Sequence, residues 1–73
     1  MVEVRLFAGL RQGRQKIYQM EKSTISNVQD IMDILTIDRK EVNIILINGF
    51  HQKPETEVKD EDIVSLFPAV GGG

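Results

Sequence analysis

Seventy-three residues make one small domain and leave no room for a second. Ile, Val, Leu and Phe supply 24 of them, enough apolar side chain for a packed core, so a disordered chain is excluded. With no cysteine, one histidine and a formal charge of −2, disulfides, thiolate metal centres and a generally basic nucleic-acid surface are excluded as well.

The chain opens with period-two alternation. Val2, Val4 and Leu6 fall on one face and Glu3, Arg5 and Phe7 on the other, the pattern of a half-buried strand. An acid this early is unlike a signal or transit peptide. The longest aliphatic run, Ile44 to Ile47, is strand-sized and far short of the ~20 residues that cross a bilayer. A cytoplasmic domain is expected. Gly9 to Arg14 is polar with two glycines and reads as a hairpin loop, with Gln15 to Met20 as the return strand.

A helix start follows. Ser26 and Gln29 have the spacing of a capping box, in which the serine oxygen accepts an orphan N–H and the glutamine reaches back. Val28, Ile31, Met32 and Leu35 then form one helical stripe of about ten residues. Asp30 and Asp33 fall off the stripe, toward the positive end of the helix dipole. Thr36 to Glu41 is the exit loop.

Val42 to Ile47 is almost continuously β-branched or aliphatic, which predicts a strand covered on both faces or at the sheet centre. Asn48-Gly49 predicts a type I′ hairpin, since that turn needs positive φ at both central residues. Phe50 to Lys53 would be a short return strand stopped by Pro54. Glu55 to Asp62 is a polar loop with five acids and one lysine. Ile63 to Phe67 is a last strand, apolar on both faces apart from Ser65, and Pro68, which lacks an N–H, ends the ladder. Such a strand wants the sheet centre, beside the first strand. The order strand, strand, helix, strand, short strand, strand is that of an α+β β-grasp, the ubiquitin-like architecture: a mixed four- to five-stranded sheet with one main helix across it.

Little in the chain can do chemistry. His51 stands alone, and triads and metal sites are constellations. Asp60-Glu61-Asp62 lacks calcium-loop spacing and reads as a solvated turn. Gly9 and Gly13 form no phosphate-binding pattern. No metal site is expected, and no cofactor bound by the chain itself.

The end of the chain is different. Gly71-Gly72-Gly73 has no side chain to pack, so a mobile, solvated tail is expected over residues 69–73, after a domain spanning 1–68. Three extended glycines reach about 10 Å and pass through a channel too narrow for other residues. The final carboxylate is ionised at neutral pH. These properties suit a chain end offered to another protein's active site, and they also suit a frayed terminus.

The surrounding residues shift that balance. Leu66-Phe67-Pro68-Ala69-Val70 before Gly72-Gly73 resembles the C-terminus of the ubiquitin-like sulfur-carrier proteins, the group that holds the small subunit of molybdopterin synthase and the thiamine-pathway carrier. The opening Val4 to Arg11, the stretch Val28 to Leu35, Ile47-Asn48-Gly49 and Lys59 to Val64 resemble the same proteins, in order along the whole chain. Departures are a single proline before the tail, a third glycine, and Glu61 at a frequent turn glycine. Phe67-Pro68 tilts the resemblance toward molybdopterin.

The resemblance implies that an activating enzyme related to those of ubiquitin uses Mg-ATP to adenylate Gly73. A sulfur donor then makes the thiocarboxylate, and the tail delivers sulfur inside the large subunit of molybdopterin synthase. The chain would be a protein co-substrate rather than an enzyme. Candidate partner contacts are Phe67, Pro68, Val70, Gly71 and Gly72, with Phe7 on the outward face of the first strand; for Phe7 and Phe67 a place in the core is the competing expectation. Residues 1–22 carry five bases against two acids, and 55–62 carry net −4, a split that would orient a partner. Other destinations stay open: thiazole synthesis for thiamine, another sulfur transfer, a modifier that conjugates to lysines, or a non-covalent interaction module.

Overall fold

The structure is a computed structural model and describes residues 1–69. Among the described residues five strands and one helix are present: β1 (Val2–Leu6), β2 (Ile17–Met20), α1 (Val28–Ile34), β3 (Val42–Ile47), β4 (Phe50–His51) and β5 (Ile63–Pro68). One-turn 3₁₀ segments occur at Ala8–Arg11, Lys22–Thr24 and Arg39–Glu41. The sheet order is β2-β1-β5-β3-β4. The last strand takes the centre, as its two apolar faces require, parallel to β1 and antiparallel to β3. This is the β-grasp expected from the order of elements.

Strand alternation sorts the sheet into two faces. Val2, Val4 and Leu6 of β1 and Val64 and Leu66 of β5 are fully buried against Val28, Ile31 and Met32 of α1. Residues at the odd positions between them point the other way, and among the described residues no second helix covers them.

The helix begins one residue later than the serine suggests. Asn27 is the N-cap: its Oδ1 accepts from the Asp30 N–H at 3.0 Å, and the Asp30 carboxylate accepts from the Asn27 and Ser26 N–H groups at 3.3 and 2.7 Å. The box is therefore Asn27/Asp30 rather than Ser26/Gln29. Both pairs share the spacing, and the carboxylate is the stronger acceptor. Gln29 instead donates to Asp33 at 2.9 Å. The helix is seven residues long, shorter than expected, because the chain turns at Thr36 (φ 56°). There the Thr36 N–H donates to the Asp33 carbonyl and the Ile37 N–H to the Met32 carbonyl, a Schellman closure. Arg14 reaches over this end, donating to the Leu35 and Thr36 carbonyls at 3.2 and 3.0 Å.

The Asn48-Gly49 turn has φ 53° and 87°, as a type I′ turn demands. The return strand stops at His51, two residues before the expected end, and the first hairpin loop contains the Ala8–Arg11 turn, which buries Leu10. The acidic loop carries a core residue, Val58, fully buried. Pro68 continues the sheet opposite Val42 rather than ending it before that point, with the register slipping between Val42 and Ile44. No helix among the described residues is long and apolar enough to cross a membrane.

Candidate functional site

The bare face of the sheet centres on two aromatic rings. β1 and β5 run parallel, with the Phe7 N–H donating to the Leu66 carbonyl at 3.2 Å, so Phe7 is held beside Phe67. Their rings stack with centroids 4.3 Å apart and planes 9° from parallel. The 3₁₀ turn after Phe7 brings Arg11 back over the sheet. Its guanidinium carbon lies 5.2 Å from the Phe7 ring centre while its Nε donates to the Leu6 carbonyl at 2.7 Å. A three-layer stack of cation, ring and ring results, worth about 1–2 kcal/mol beyond its area.

Register extends this patch. Ile44 is directly opposite Phe67, and Leu46 opposite Ser65, whose other neighbour is Arg5. Ile44, Leu46, Phe7 and Phe67 are all half-buried, and among the described residues Arg11 is the side chain laid over the rings. Neither phenylalanine is in the core: both belong to this surface.

The sequence missed Ile44, Leu46 and Arg11 as members of the patch. The signal was available in Val42–Ile47. A strand apolar on both faces, in a chain with one helix, must leave one apolar face without cover. Arg11 left no such trace, because its position depends on the turn at Ala8 (φ 51°), an unusual conformation for alanine.

Pro68 does not share the face of Phe67. By alternation it lies on the helix side, beside Val42, which packs against the core. Immediately after it, the Ala69 N–H donates to the Glu41 carbonyl at 3.2 Å. Val70, Gly71, Gly72 and Gly73, named from the sequence as tail contacts and reactive end, lie outside the described residues.

The other candidates resolve into structural roles. The Met1 ammonium is held by Asp60 at 2.6 Å and Glu61 at 3.1 Å. Those hydrogen bonds raise the ammonium pKa, and the ammonium holds the Asp60 carboxyl below its ordinary value. Asp62 accepts from the Lys59 N–H and from Asn48 Nδ2, tying the acidic loop to the hairpin turn. On the bare face, Arg5 and then Gln19 lower the Glu3 pKa by donating to its carboxylate. His51 is exposed opposite Leu46. Among the described residues no group of three His, Cys, Asp or Glu side chains is placed to hold a metal ion. An open groove of about 490 Å³ lies under the hairpin between Phe50 and Glu57.

A single mixed sheet of this order, crossed by one helix and bare on its other side, defines a ubiquitin-like β-grasp protein. The ThiS family model matches residues 4–73, and the chain belongs to that family of ubiquitin-like sulfur carriers. Comparison with curated proteins returns no match. Among solved structures, the chain is similar to a protein of Pyrococcus furiosus described as molybdopterin converting factor subunit 1, with 27% identity, a TM-score of 0.73 and coverage of 94% of this chain and 97% of that one. It is similar also to a chain in the complex of subunits 1 and 2 of the molybdopterin-converting factor from Helicobacter pylori, with 28% identity, a TM-score of 0.64 and coverage of 99% and 97%. Small archaeal modifier protein 1 of Haloferax volcanii shares the fold, with 23% identity, a TM-score of 0.74 and coverage of 99% and 98%.

Proposed function

We propose that this chain carries sulfur as a thiocarboxylate on Gly73 and delivers it in molybdopterin synthesis as the small subunit of the synthase. The observation that carries the reading is the family match, which runs through the terminal glycines, on a fold whose apolar face stands uncovered. The similarity to converting-factor subunits at 27% and 28% identity is consistent with the molybdopterin destination.

The chemistry is that of a poor leaving group made good. The Gly73 carboxylate oxygen attacks the α-phosphorus of ATP, releasing pyrophosphate and forming an acyl adenylate. Hydrosulfide, the donor's sulfur at the sulfide level, attacks the acyl carbon, the acyl–phosphate bond breaks, AMP leaves, and the thiocarboxylate remains with no change of oxidation state. Mg-ATP is held by the activating adenylyltransferase, and this chain supplies only the acyl group. With no cysteine, it has no side chain that holds persulfide sulfur.

The domain's part is docking. Phe7 and Phe67, extended by Ile44 and Leu46, offer an apolar contact, with Arg5 and Arg11 at its side to pair with acids on the partner. Contact there places the tail at the partner's active site and makes the transfer effectively intramolecular. The large synthase subunit and the adenylyltransferase are the two partners proposed for this face, with Pro68 and Val70 to Gly72 lying along the entry to the active site.

Intact-mass spectrometry after incubation with the activating enzyme, ATP and a sulfide source tests the proposal. The expected gain is that of one oxygen replaced by one sulfur, on the last residue. Deleting Gly73 should abolish it and leave the circular dichroism spectrum unchanged. A truncated chain that still takes up sulfur overturns the reading, and an amide-linked conjugate to lysine would assign the chain as a modifier instead.

A further inference from the structure

The last backbone tie of the described chain runs to an unusually well-closed turn. Ala69 donates its N–H to the carbonyl of Glu41, the final residue of the Arg39–Glu41 turn. That turn is capped reciprocally. The Asp38 carboxylate accepts from the Lys40 N–H at 2.9 Å, and the Glu41 carboxylate accepts from the Asp38 N–H at 2.9 Å. The Glu41 N–H closes on the Asp38 carbonyl at 2.8 Å. Just before Ala69, Pro68 faces Val42 and has no N–H to give, and the pairing slips at Asn43. The contact that follows the proline therefore rests on where the turn holds one carbonyl.

We infer that the Asp38–Glu41 turn is a positioning device for the C-terminal tail. The two acids hold the turn, the turn holds the Glu41 carbonyl, and that carbonyl holds Ala69, the residue from which the tail continues. This rests on the carrier reading above. Asp38 and Glu41 are positioning residues and touch no reacting atom. A tail anchored at its root has fewer directions to lose on entering an active site, which lowers the entropic cost of binding. Once the tail is seated, the adenylation step is the same. Loosening the root should therefore raise KM for the carrier and leave kcat alone.

The test pairs Asp38→Ala with Asp38→Asn, since asparagine caps as well as aspartate and alanine does not. Asp38 is exposed, so both variants keep the core. Amide hydrogen exchange by NMR should show Ala69 exchanging about fivefold faster in Asp38→Ala, with Val64 and Leu66 unchanged. In ATP–pyrophosphate exchange with the adenylyltransferase from the same genome, carrier KM should rise by a similar factor at constant kcat. Asp38→Asn should restore both values. An unchanged Ala69 amide, equal loosening of Val64 and Leu66, or faster exchange with an unchanged KM each overturns the inference. If the wild-type chain is not adenylated at all, the carrier reading falls, and the exchange arm alone decides whether the turn holds the tail.

Discussion

The two faces of the sheet are built from the same strands and similar side chains, yet only one is finished. On the helix side, Val4, Leu6, Val64 and Leu66 are shut from solvent by α1. On the other side, Phe7, Phe67, Ile44 and Leu46 stay half-buried, and among the described residues no helix covers them. The first arrangement stabilises the chain. The second leaves apolar area exposed at some risk of aggregation, and it makes sense where a partner completes it. Stability thus belongs to one face of the sheet and the proposed docking to the other, with β5 supplying both.

That division can be broken most sharply from the inside. Leu66→Ala leaves a cavity between the central strand and α1, and should cost about 2–5 kcal/mol in urea denaturation. In a domain of this size that is a large part of the total stability. The neighbouring residue on the other face should behave differently. Phe67→Ala should cost less, about 2 kcal/mol, since its ring is half-buried and stacked on one side. It should nonetheless weaken complex formation with the large synthase subunit or the adenylyltransferase by about tenfold or more, measured by calorimetry, as loss of a central aromatic anchor does. If Phe67→Ala unfolds the protein as Leu66→Ala does, or binds both partners normally, the two faces do not divide as described.

The ends of the helix give a smaller effect. Asn27→Ala removes the acceptor for the Asp30 N–H and should lower stability by about 1 kcal/mol in the same urea titration. Ser26→Ala should change it much less, because Ser26 contributes its backbone N–H to Asp30, which alanine keeps.

This last contrast also shows what the sequence could tell. The spacing of an oxygen acceptor and an acceptor three residues on locates a helix start, but Ser26/Gln29 and Asn27/Asp30 overlap by one residue. Only the packing of Val28, Ile31 and Met32 chooses between them. The bounds of Val42–Ile47 were legible to the residue, but its cover was not: β3 lies beside the central strand rather than at the centre, and only Ile45 and Ile47 are buried, so cover on both faces is not what the fold gives it. Loops were not legible. Val58 looks like one apolar residue in an acidic stretch, and nothing local says that it fills the core. The same held for the site: Phe7 and Phe67 stood out as candidates, whereas their stacking follows from β1 and β5 being parallel neighbours, a contact between residues 60 apart in the chain.

The mildest prediction concerns Glu3, whose charge sits on the bare face away from the rings. Its carboxylate accepts from Arg5 and Gln19, and its pKa is lowered in the folded chain. A carboxylate with a lowered folded pKa contributes stability that is present above the unfolded value, about 4.3, and is lost as pH falls through the folded value. Glu3→Gln should therefore shift the urea midpoint slightly at pH 7, by an amount that shrinks as pH falls below the unfolded value. Salt should shrink the difference at pH 7, because the pair is open to solvent. A midpoint difference that grows toward pH 3 would mean that Glu3 acts through packing on the uncovered face rather than through its charge.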